Sequence, residues 1–262
     1  MGTVERVVPS QLRLARDRAL LVGSVGLVAT MAWLALWASG ASRYGFFLHH
    51  HELAHTVMVR PGLFVLLFVG GWAVMTVAMM LPTTLPLITA FHTITRRRMD
   101  RPLLVTLVIA GYLVTWTLFG VVVYLGQVVL RWLAGASPWV AEHSWAVGGS
   151  IILLAGVFQF TSLKYRCLDK CRSPLSFVIA HWRGRNDRWQ AFRLGVHHGV
   201  FCVGCCWALM LLMFAVSVGN LGWMLVLAAV MAIEKNVSWG RRMSAPLGVA
   251  LLGWGASILV LA

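Results

Sequence analysis

Long apolar runs recur along this chain, and they constrain its fold more than any other feature. Seven are legible, at about 19–39, 63–91, 103–130, 146–163, 194–218, 221–233 and 246–262. A helix needs roughly 17–25 apolar residues to cross a bilayer. The fourth and last runs sit near the lower limit, and the sixth reaches it only by continuing through Glu234 to about Val237. The expectation is an all-α, polytopic transmembrane bundle of about seven spans. Only 11% of the residues are charged, against roughly 25% in soluble domains.

The net charge of +14 would suit nucleic acid, but its distribution argues against that partner. If the spans alternate sides, 19 of the 22 Lys and Arg fall on one side: the arm before residue 19, the 92–102 and 164–193 connections, and 235–245. Arg43, Arg60 and Arg131 fall on the other. That asymmetry is the positive-inside pattern. It places the N-terminus in the cytoplasm and the C-terminus outside, with lipid as the partner of most of the surface. The organisation expected is a basic cytoplasmic arm over 1–18 and one transmembrane domain over 19–262. Within that domain, 164–193 is a basic cytoplasmic loop. The first apolar run follows a charged arm and lacks a small-residue cleavage site, so it reads as a span rather than a signal peptide.

The fifth run carries His197-His198-Gly-Val-Phe-Cys202-Val-Gly-Cys205-Cys206. At about 100° per residue, with His198 at zero, Cys202 lies at about 40°, Cys205 at −20°, Cys206 at 80° and Met213 at 60°. All share one helix face. With Arg193 at the membrane boundary, His198 lies on the order of 7 Å in and Cys202 about 13 Å in. Thiols on that side stay reduced, which disfavours disulfides. One apolar-face Cys is ordinarily packing; three within five residues beside a histidine point to ligation or redox chemistry.

One helix cannot complete a coordination sphere. Cys167 and Cys171 lie on the same side at i, i+4, and their basic neighbours Lys164, Arg166, Lys170 and Arg172 favour thiolate. Soft secondary donors are Met79 and Met80 on the second run and Met210 and Met213 on the fifth. Thiolate, thioether and imidazole together select a soft transition-metal ion, copper ahead of zinc. Glu234 reads either as an interfacial carboxylate paired with Lys235 or another base, or as the group that fixes the His198 tautomer, and Lys164 as a further residue supporting the site. The second run is broken by Pro82 and Pro86, which should kink the helix and free carbonyls near Ala78 and Pro82.

A separate cluster, His49-His50-His51-Glu52-Leu-Ala-His55, contains H-E-x-x-H. On a helix that pattern offers His51 and His55 to zinc with Glu52 as base. It supports an alternative reading as a membrane zinc hydrolase, although no aspartate falls on that side to complete the site. Cys202, Cys205 and Cys206 alone support another, a membrane thiol oxidoreductase.

Four motifs together resemble a known bacterial family of integral membrane proteins, predicted to bind metal but without assigned function. They are Trp72-Ala-Val-Met75-Thr-Val-Ala-Met79-Met80-Leu-Pro82, Lys164-Tyr-Arg-Cys167-Leu-Asp-Lys-Cys171-Arg172-Ser-Pro174, His197 through Met210, and Glu234-Lys235. The resemblance covers about residues 60–240. It implies metal binding in a multi-pass protein of the bacterial inner membrane and agrees on which residues matter. The expected role is metal handling or transport, with a metal donor or client protein as partner, rather than catalysis.

Overall fold

The computed structural model describes residues 4–41, 61–184, 187–216 and 220–261. Among these residues the chain is helical without strands. Helix α1 spans Val4–Ala41, α2 Pro61–Met79, α3 Leu85–Ile94, α4 Arg101–Ala136 and α5 Pro138–Glu142. They are followed by α6 at Ser144–Phe158, α7 at Ser162–Cys171, α8 at Pro174–His181, α9 at Asp187–Val216, α10 at Leu221–Asn236 and α11 at Ser244–Leu261.

Four stretches are long and apolar enough to cross a membrane: Ala15–Ser39, Arg101–Ala136, Asp187–Phe214 and Gly240–Leu261. The bent pairs α2–α3 and α6–α7 raise the number to six if each is one span. The seventh stretch expected, α10, is not among these six. It has 16 residues, about 24 Å at 1.5 Å per residue, against a hydrocarbon core of about 30 Å. It closes on Glu234 and Lys235, both buried inside the bundle. The stretch 164–193, expected as a loop, is mostly helical (α7, α8 and the start of α9), because Lys164, Cys167, Leu168, Phe177 and Val178 all pack inward.

The bundle carries its apolar surface outward. Leu27, Leu118 and Val249 are each more than 60% exposed, whereas Met80, Cys202, Leu209 and Met213 are fully enclosed. Water would oppose such a surface and lipid tails accept it. Helix α9 is the axis: 56% of its apolar window is buried, against 22% for α1 and α11.

Small residues set the closest crossings, as membrane bundles require. On α4 and α9, a Cβ added at Gly111 would run into the Phe192 carbonyl, and one at Gly195 into the Val108 carbonyl. Both glycines therefore let the two backbones touch. The crossing brings Tyr112 of α4 alongside the thiol face of α9.

Pro82 ends α2. A 3₁₀ turn over Pro82–Thr84 and then α3 continue at a 46° bend. The carbonyls freed by the two prolines are met. Ala78 O accepts the Trp33 indole N–H from α1 at 3.1 Å, and Pro82 O accepts the Leu85 amide. Met80 O, whose helical partner would have been the Thr84 amide, instead accepts the Thr83 hydroxyl at 2.8 Å and the Tyr112 hydroxyl at 3.3 Å. The break thus presents Met80 and Thr83 at the centre of the bundle.

Candidate metal centre

Sulfur atoms from three helical elements converge beside the α2–α3 break. All five cysteines are free thiols. Cys202, Cys205 and Cys206 lie on the buried face of α9, as their spacing requires. Cys171, at the end of α7, brings its Sγ to 3.9 Å from Cys205 Sγ. Cys206 Sγ lies 3.9 Å from Met80 Sδ. Two sulfurs each about 2.3 Å from one shared ion stand roughly 3.8–4.0 Å apart, so both pairs have the separation of a shared ligand set. The Cys205 and Cys206 thiols both donate to the Cys202 carbonyl, at 3.1 and 2.8 Å, which ties the two pairs together. Cys167 packs on Gly204, where a Cβ would sit 2.6 Å from its Sγ. A glycine there lets α7 lie close against α9.

Two polar side chains that sequence reasoning missed complete the centre. Lys235 donates from Nζ to Cys202 Sγ at 2.9 Å, and also faces Met80 Sδ at 3.6 Å and Thr83 Oγ1 at 3.4 Å. The Tyr112 hydroxyl lies 3.1 Å from Cys202 Sγ. Both are at least nine-tenths buried. Tyr112 had a faint signal, as a hydroxyl beside Gly111 in an otherwise apolar run.

The other expected residues fall into place unevenly. Met79, Met210 and Met213 are enclosed in the same hydrophobic cluster; the thioether that meets a thiol is that of Met80. His198 is buried one turn before Cys202, its ring 5.9 Å from that of Tyr112 and edge-on to Phe177. Its Nδ1 has no hydrogen-bond partner. The adjoining cleft, walled by Leu81, Thr84, Leu87 and Tyr112, has no room for a water. Glu234 therefore does not fix the His198 tautomer. Its carboxylate takes Lys164 Nζ at 2.7 and 2.9 Å and the Ser244 hydroxyl at 2.8 Å. Nor does Glu234 pair with Lys235, since adjacent helical residues point about 100° apart. Lys164 also donates to Gln159 Oε1, and Arg172 donates to the carbonyls of Glu234 and Ser238. Two of the four cations expected to activate Cys167 and Cys171, Lys164 and Arg172, are thus engaged elsewhere, and a cation that does reach the thiols is Lys235. His51 and His55 lie outside the described residues.

Among the described residues, no three His, Cys, Asp or Glu side chains stand as a finished cage for an ion. The donors stand as sulfur pairs, with phenol and amine beside Cys202. Thiol and thioether donors in a dry, apolar setting suit a soft, singly charged ion such as Cu(I) better than a hard cation.

Residues 69–258 match the PpoB2 family, described as a copper chaperone, and the chain belongs to that family. No curated protein and no solved structure matches the chain.

Proposed function

We propose that this member of the PpoB2 copper chaperone family binds its cargo, a Cu(I) ion, inside the bundle. Cys202, Cys205, Cys206 and Cys171 with Met80 would be ligands, and Cys167 and His198 would be adjoining donors. The observation that carries this reading is the pair of 3.9 Å sulfur–sulfur approaches, Cys171 to Cys205 and Cys206 to Met80, made across three separate elements. Apolar packing alone does not require sulfur to meet sulfur twice at the separation of a shared ion. Zinc is the less favoured cargo because a thioether adds little to its ligation.

The protein would sit in the bacterial inner membrane, with the Asp187 end of α9 toward the cytoplasm. That orientation is supported by the asymmetry of Lys and Arg along the chain. Residues 19–262 would act as one transmembrane domain behind the basic arm over 1–18. A copper donor and a client protein are the partners such a role requires. The chain would hold and pass on the ion rather than transform a substrate.

Elemental analysis of the purified protein tests the site, with a Cys202→Ser, Cys205→Ser, Cys206→Ser variant beside it. About one copper per wild-type chain and little in the variant is the expected result. Equal copper, or none, in both would overturn the proposal.

A further inference from the structure

A second set of nitrogen donors lies outside the sulfur centre. His181 ends α8 and His197 lies on α9; both are half-buried. Their ring centroids are 5.3 Å apart at 81°. Two imidazoles sharing one ion through bonds of about 2 Å have centroids roughly 5–6 Å apart. The His181 Nδ1 lies 2.9 Å from the Phe177 carbonyl. A carbonyl only accepts, so Nδ1 carries the proton and the Nε2 lone pair is free for a metal. The Nε2 of His197 faces Arg193 Nε at 3.5 Å, the outer limit of a hydrogen bond and one that an arriving ion can replace.

The position of the pair points to a use. Phe177 stacks on His181 at 4.3 Å and meets the buried His198 edge-on at 5.5 Å. His198 keeps an unpartnered Nδ1, and Cys202 follows it by one helical turn. From half-exposed surface to core, the order is His181 with His197, then Phe177, then His198, then the thiols. Packing accounts for Phe177 against any one of these rings. It does not account for imidazoles on two sides of one phenyl, one with a free lone pair and a second imidazole beside it, the other with an orphaned nitrogen.

We propose that His181 and His197 form a loading site for Cu(I), which passes from there by way of His198 to the thiols. This rests on the sulfur centre being the destination. The ion remains Cu(I), so no electron is exchanged. Two Cu–N bonds break as Cu–S bonds form, and each thiol that becomes a ligand releases its proton, which leaves by way of the vacated imidazoles to water at the half-exposed end of the path.

The test uses full-length protein in detergent, with Cu(I) supplied from a chromophoric chelator and its ligands read by X-ray absorption. Supplied in excess, Cu(I) should still bind the variant lacking the Cys202, Cys205 and Cys206 thiols, with nitrogen scattering and weakly enough to be lost on purification. Adding His181→Asn and His197→Asn should remove that binding. The same two substitutions in otherwise wild-type protein should leave the sulfur-bound copper in place while slowing its loading by about tenfold or more. Arg193→Gln frees the His197 lone pair and removes a repelling charge. It should tighten the nitrogen site severalfold, a gain that misfolding cannot produce. Absence of nitrogen-bound copper in the thiol-free variant overturns the loading site, as does unchanged or weaker binding in Arg193→Gln. Failure of the sulfur centre reads differently, as a sulfur-free spectrum in the wild-type protein.

Discussion

Two lysines are buried in this bundle, and they are held in opposite ways. Lys164 donates to Gln159 and to both oxygens of Glu234, which is itself steadied by Ser244. It is a closed ion pair. Lys235, the next residue after Glu234, faces a thiol, a thioether and a hydroxyl, and no ion pair with it is found among the described residues. A buried cation without a carboxylate is costly. Its partners here are the soft donors a metal would use. The pair at Lys164 fastens α7 to α10; Lys235 projects that helix end into the centre.

The sharpest way to break this comparison is to remove each charge in turn. Lys164→Met leaves Glu234 ionised and alone in an apolar setting, and should destabilise by about 3–5 kcal/mol. Combining it with Glu234→Leu should recover most of that loss. Denaturant titration in detergent reads both. Equal losses in the single and double variants would mean that the pair is not a unit.

Lys235→Met should do the reverse, by a smaller amount. The substitution takes a buried cation away from the Cys202 thiol. No charge is stranded, and the new thioether packs among Met80 and Cys206. The fold should gain about 1–2 kcal/mol, toward the low end of what replacing buried ions by apolar groups returns. Copper should also be held more tightly, by about tenfold, since a competing cation has gone. A loss of stability like that of Lys164→Met would show that the two lysines are equivalent after all.

Tyr112→Phe probes the frame around Lys235. It removes the hydroxyl bonded to Met80 O and Cys202 Sγ while keeping the ring against His198. A loss of about 1 kcal/mol is expected, because Met80 O retains Thr83. A loss of several kcal/mol would mean that Tyr112, and not the proline break, positions Met80.

What the sequence disclosed follows from locality. The thiol face of α9 is a matter of 3.6-residue periodicity within one helix, and Cys202, Cys205 and Cys206 lie where it predicts. The carbonyl freed at Ala78 follows from Pro82 alone, though its taker, Trp33, does not. Misread features depended on contacts between distant segments. Glu234 meets Lys164 across 70 residues and Lys235 meets Cys202 across 33. Basic residues near Cys167 looked like its activators in the sequence, yet geometry gives Lys164 to a carboxylate and Arg172 to carbonyls. One error was avoidable, since neighbouring residues on a helix cannot pair with each other. The short α10 was counted as a span because its apolar length continues into Glu234 and Lys235. Burial within protein, not lipid, is what permits those charges.

The smallest effect is expected where ion-pair chemistry is moved from the core to the surface. Arg98 bonds Asp100 at 2.8 Å and Asp187 at 2.6 Å, joining the α3–α4 turn to the start of α9. The guanidinium holds the Asp100 carboxyl below its usual range. A carboxyl with a depressed folded-state pKa stabilises the fold above its unfolded pKa of about 4. That contribution is lost as pH falls through the lower folded value. Water and salt screen this exposed group, whereas the Lys164–Glu234 pair is shielded from both. Melting temperature measured from pH 6 to pH 3 should therefore fall slightly less in Asp100→Asn than in the wild type, and the difference should vanish in 1 M salt. A difference that survives high salt would place Asp100 with the buried pair and erase the contrast between core and surface.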